Sequence, residues 1–201
     1  MMNYGDIKAL VKFWVHRTDL DSVMDQFFEL SRERISKEAR LLVMETDLHI
    51  DFTGDPEPLP ADFVAFRSVR ANVTGGIRPL QVATKQQLDI RGNQNRGSGG
   101  PTVYALNNNK LEVQPGADGS SIDATYYARP KVLVNDNDTN PVLENWPSLY
   151  LYAAQIYIHN SLQDTESEQV AQANFQTELD AANESDDDAR YSGDSPTMTG
   201  S

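Results

Sequence analysis

The sequence predicts an α+β protein: a four-helix bundle, two helices from each end of the chain, with an inserted β-rich domain and a flexible polar C-terminal tail. Three observations carry this. Apolar residues recur at helical spacing in the first 40 residues and again after residue 141. Between them they alternate with period two and are punctuated by Gly, Pro and Asn. The last residues are acidic, small and polar, a composition that buries nothing. The predicted domains are therefore 1–40 with 141–184 for the bundle, 41–140 for the β-rich insertion, and 185–201 for an extended or disordered acidic tail.

The first helix is marked by Ile7, Leu10, Val11 and Trp14, at the i, i+3, i+4, i+7 spacing of one face. A break follows at Arg17-Thr18, and Thr18 or Asp19 is a candidate cap for the second helix. Leu20, Val23, Phe27 and Leu30 form its expected stripe. Two short-linked amphipathic helices make a helical hairpin.

From residue 41 the period changes. Leu48, Ile50 and Phe52 alternate with polar residues, which is the strand signal. Phe63 to Val73 is a further strand, and Thr74-Gly75-Gly76 a turn. Thr84 to Leu88 suits one short helical turn, and 91–101 a glycine-rich loop. Val103 to Leu106 and Lys110 to Val113 flank Asn107-Asn108-Asn109, a β-hairpin whose asparagines tolerate positive φ. Ile122 to Ala128 completes an expected five or six strands.

Helix returns at Asn145, a candidate N-cap, with Pro147 in the first turn, where its missing N–H costs little. Leu149 to Ile158 is apolar at nearly every position, so that helix is buried on all sides, in the chain or in an assembly. Thr165 to Glu168 has capping-box spacing. The last helix carries Ala171, Phe175 and Leu179 at four-residue steps, and order is expected to end after Ala182.

The totals narrow the function. Asp and Glu number 30 against 17 Lys and Arg, a net charge of -13, which repels phosphates and argues against sequence-specific nucleic-acid binding. There is no cysteine, so disulfides, thiolate metal sites and cysteine nucleophiles are excluded. No signal peptide and no membrane span are expected. His16, His49 and His159 fall in three different elements, without metal-ligand spacing. Gly97-Ser98-Gly99-Gly100 lacks the Lys-Ser/Thr of a phosphate loop. Asp136-Asn137-Asp138-Thr139-Asn140 begins like a calcium loop but is not followed by its glycine, and suits a turn. The expectation is a non-enzyme, with no catalytic residue, no cofactor and no metal.

Several blocks, in order, are similar to tailed-bacteriophage head–tail adaptor (connector, head-completion) proteins. They are Pro58-Leu59-Pro60-Ala61-Asp62-Phe63 with Phe66-Arg67-Ser68-Val69; Pro79-Leu80 with Gln87-Leu88-Asp89; Tyr126-Tyr127-Ala128-Arg129-Pro130; Thr139-Asn140-Pro141-Val142-Leu143; Pro147-Ser148-Leu149-Tyr150-Leu151-Tyr152-Ala153-Ala154; and Phe175 with Leu179. The resemblance covers roughly residues 20–183. The glycine-rich loop, the acidic tail and Pro141, where the family often has Trp, depart from it. The resemblance implies a virion protein made in the host bacterial cytoplasm. It also implies a homo-oligomeric ring, usually of twelve copies, under the portal protein, which continues the DNA channel and docks tail or nozzle proteins. The alternatives are another virion joining protein (tail terminator or completion protein) and a non-viral helical interaction module.

Candidate contact residues follow. Trp14 and Trp146 suit a subunit interface or the bundle core. Tyr150, Tyr152 and Tyr157 lie on several faces of one helix, so that at least one is expected to meet a neighbour or a polar partner. Tyr191 and Met198 are the few sticky residues of a tail that is either idle or ordered on the portal. Arg91 and Arg96 suit a contact with a tail protein or with DNA, or a plain connection.

Overall fold

The computed structural model describes residues 1–51, 56–73, 75–94, 100–114 and 120–191. The chain divides into two compact units: Met1–Met44 with Arg129–Ser201, and Glu45–Ala128.

In the first unit, α1 (Tyr4–Val15) opens with a capping box in which Asn3 accepts from the Asp6 N–H and Asp6 accepts from the Asn3 N–H. It closes at His16, whose φ of 55° is left-handed. Its buried face is Tyr4, Ile7 and Val11, one turn earlier than the stripe predicted, so Trp14 is half exposed. The second helix, α2 (Met24–Glu38), starts later than expected and has no side-chain cap. Asp19 is unavailable because its carboxylate accepts from Arg17. The buried face of α2 runs Met24, Phe28, Arg32, Ile35, and Leu30 is exposed. Arg32 looks polar in sequence, yet it donates to both Glu29 oxygens and to the Pro130 carbonyl, which lets it go under.

The four-helix bundle is not what forms. Among the described residues there are six helices, five of them in this unit. A short 3-10 turn (Leu42–Met44) follows α2. After the second unit come α4 (Pro141–Asn145), α5 (Pro147–Ser161) and α6 (Thr165–Tyr191). The helix α5 packs against α1, α2, α4 and α6. Between Leu149 and Ile158 it buries every residue except Tyr152 and Tyr157, which are half-buried. A helix apolar on all sides must be surrounded; it becomes a hub, where a bundle would need only one stripe from it. Asn145 does not cap α5; Asn140 instead caps α4, and Asp164, one residue before the predicted Thr165, accepts from the Ser167 N–H at the start of α6.

Helix α6 also runs past residue 185, where the tail was expected to begin, to Tyr191. Asp186 explains the extension: it is buried, and its carboxylate accepts the Leu42 N–H. Replacing Asp186 by alanine orphans that amide and should lower stability by about 1–3 kcal/mol. Urea unfolding would read this beside Asp188→Ala, an exposed neighbour expected to change stability by under about 0.5 kcal/mol; equal effects would count against the cap.

The second unit is a sandwich of two four-stranded sheets. The first has the order β1-β8-β3-β4, from β1 (Glu45–Asp51), β8 (Ser121–Ala128), β3 (Phe63–Val73) and β4 (Gly76–Pro79). The second has the order β2-β7-β6-β5, from β2 (Glu57–Pro58), β7 (Lys110–Gln114), β6 (Val103–Asn107) and β5 (Gln81–Val82). Among the described residues only β5 and β6 pair in parallel. The strand count exceeds the prediction because β2 and β5, two residues each, are too short to show a period. The β6–β7 hairpin turns on Asn108 and Asn109, both at positive φ, as the asparagine run predicts. Val69, Ala71, Ile122 and Ala124 of the first sheet share one core with Leu111 and Val113 of the second. Helix α3 (Lys85–Gln94) extends into what was expected to be loop, and its Leu88 packs on Val103 and Ala105. It starts on Thr84, which exchanges hydrogen bonds with Gln87. Phe52 lies outside the described residues.

Candidate interaction site

The aromatic residues flagged in the sequence separate into two groups. Tyr150 is fully buried. Its ring stacks on Phe28 at 6.2 Å, and Phe28 meets the edge of Tyr4 at 5.1 Å. The Tyr150 hydroxyl accepts from Asn140 at 3.0 Å. Burial pushes its pKa up to about 12, although the Asn140 bond pulls the other way. Tyr150 is thus a core residue and presents no surface to another chain. The Tyr4 hydroxyl donates to Asp25 at 2.6 Å, and burial together with that carboxylate holds it far above an ordinary phenol.

Trp14 belongs to the other group. It is 50% exposed, and its ring meets Tyr152 edge-on at 6.4 Å. Phe13 beside it is 72% exposed. Phe13 falls off the apolar stripe of α1, and an aromatic off that stripe is the one sequence signal of its exposure. Trp146 and Tyr157 are half-buried. Met198 and Arg96 lie outside the described residues, as do the side chains of Tyr191 and Arg91.

A cavity of about 240 Å³ opens in the same unit, lined by Phe28, Tyr150, Val132 and Val134, with Asp25 and Glu29 among its polar groups. Val132 and Val134 are 48% and 68% exposed. They lie on the segment that follows Arg129 and has no regular secondary structure. Arg32 also lines the cavity, but its guanidinium is bound to Glu29, Glu33 and the Pro130 carbonyl. The cavity was invisible in the sequence because its walls are about a hundred residues apart.

The acidic run after Val134 is a turn. Asp138 accepts from the Val134 and Asn135 N–H groups, which hold its carboxyl below the usual range, and Asp136 pairs with Lys8 at 2.7 Å. In the second unit His49 lies beside Asp123, whose other oxygen accepts from Asn72 at 2.6 Å. Asp123 raises the His49 pKa, and Asn72 and His49 lower that of Asp123. Both are surface groups on a polar sheet face. Among the described residues no group of three or more His, Asp or Glu side chains is placed to hold a metal ion, and no helix is long and apolar enough to cross a membrane.

Aromatic and aliphatic side chains exposed on a well-cored unit are the feature by which contact surfaces are recognised. The comparison with protein families places this chain among tailed-phage adaptors, which are structural proteins of the virion and not an enzyme family. The chain belongs to the SU10 adaptor protein family, whose model matches residues 2–199. A search of curated proteins finds no match.

Proposed function

We propose that this chain is the head–tail adaptor that forms a ring under the portal, continues the DNA channel and offers a platform to tail proteins. The family match over residues 2–199 carries the reading. The exposed aromatics of α1 support it, since large exposed apolar side chains mark contact sites. The charge fits as well: -13 per copy, summed around a ring, sets up a field that keeps duplex phosphates from adhering while DNA passes.

Electron microscopy of the chain mixed with the portal protein of the same phage tests this. The expected image is a ring of copies stacked beneath the portal. A chain that stays unbound, or that assembles only at the far end of the tail, would overturn the proposal and favour a tail-completion role.

A further inference from the structure

The two unusual surfaces of the helical unit lie toward opposite ends of one helix. Phe13 and Trp14 project at the C-terminal end of α1. The cavity adjoins the other end, where Tyr4 packs on Phe28, one of its walls, and bonds Asp25. Ten residues of helix at a rise of about 1.5 Å separate Tyr4 from Trp14 by roughly 15 Å. An aromatic at one end therefore does not fill the cavity of its own chain.

We infer that Trp14 of one copy, flanked by Phe13, seats in the cavity that Phe28, Val132 and Val134 wall in the next copy, and that this knob-and-socket contact links the ring. The inference rests on the ring reading above.

Three observations identify the occupant as a second copy. The first is size. At about 240 Å³ the cavity is below the ~300–1,000 Å³ of small-molecule sites and suits a single large side chain. The second is chemistry. Phe28, Val132, Leu133 and Val134 give the cavity an apolar side beside the charged Asp25, Glu29 and Arg32, and Trp14 is a large aromatic that the same unit leaves half exposed. Tryptophan set in an apolar pocket is a common centre of binding energy. The third is charge. Asp25 and Glu29 line the socket with side chains 72% and 46% exposed, although Glu29 is bonded to Arg32 and Asp25 to Tyr4 and Lys8 within the chain. Lys12, His16 and Arg17 lie within four residues of Phe13 and Trp14 in the chain, and the His16 ring meets that of Phe13. Lys12 and Arg17 hold pairs with Asp21 and Asp19 within the chain, but such exposed pairs are weak and exchange at little cost. Knob and socket are different surfaces, so the contact runs head to tail, the kind that closes into rings.

The absence of cysteine gives a clean background for crosslinking. Phe13→Cys and Val134→Cys both change strongly exposed positions, so folding is not at stake. The double variant, assembled on portal and treated with a short bismaleimide, should yield a ladder of covalent oligomers up to the full ring. Each single variant should stop at dimers. Phe13→Cys with Val170→Cys, another exposed position, should give no ladder. If microscopy shows the ring but the Phe13/Val134 pair links no better than the Phe13/Val170 pair, the contact is wrong and the ring reading survives. A ladder that ends at dimers also overturns the contact. If no ring forms on the portal, both readings fall together.

Discussion

Tyr150→Ala should remove roughly 3–5 kcal/mol of stability, the cost of emptying a large aromatic site in a core that relaxes only in part. Tyr150 is fully buried, on the helix against which four others pack. The substitution would lose the Phe28 stack and leave the Asn140 amide short of one acceptor. Tyr150→Phe keeps the ring and loses only the hydroxyl, so about 1 kcal/mol is expected there. Urea unfolding followed by tryptophan fluorescence would give both values. A loss under about 1.5 kcal/mol for the alanine variant would mean that α5 is not the hub described.

Asn140→Ala should cost about 2–4 kcal/mol, large for a residue with so little apolar surface. The side chain is 2% exposed and makes three hydrogen bonds. It accepts from the Leu143 N–H at 2.9 Å as the cap of α4, and donates to the Lys131 carbonyl and the Tyr150 hydroxyl, each at 3.0 Å. A lost cap costs about 1 kcal/mol, and each buried group left unpaired adds about 1–3 kcal/mol before relaxation. Asn140→Asp keeps the acceptor but no longer donates to the Lys131 carbonyl, so it should not restore stability at neutral pH. Because Asn140 and Tyr150 share a bond, their combined loss should fall short of the sum. Strict additivity in a double-mutant cycle would contradict the shared bond.

The Thr-Asn turn shows what was legible in the sequence. Asn140 stood out there as part of a recurring block, but its three bonds depend on Lys131 and Tyr150, which only the fold brings together. Local signals read well. The period-two run through Leu48 and Ile50 is a strand, the asparagine turn is a hairpin, and Pro147 opens a helix. Burial registers read less well. Arg32 is buried through partners at Glu29 and Pro130, so the face of α2 appeared shifted by one residue. Asp186 hides in a stretch of acids that looked wholly solvated. An all-apolar helix such as α5 has no preferred face, and periodicity alone does not tell a bundle member from a hub. The same ambiguity made Tyr150 a candidate contact when it is core.

The chain enters the β unit at Glu45 and leaves it at Ala128, and these strands are neighbours: Glu45 pairs with Tyr127 in the β1–β8 ladder. Facing residues of an antiparallel pair lie about 4.5–5.5 Å apart. The unit therefore begins and ends at nearly one point and behaves as a cassette. A few residues of linker joining Met44 to Arg129 would bridge the excision.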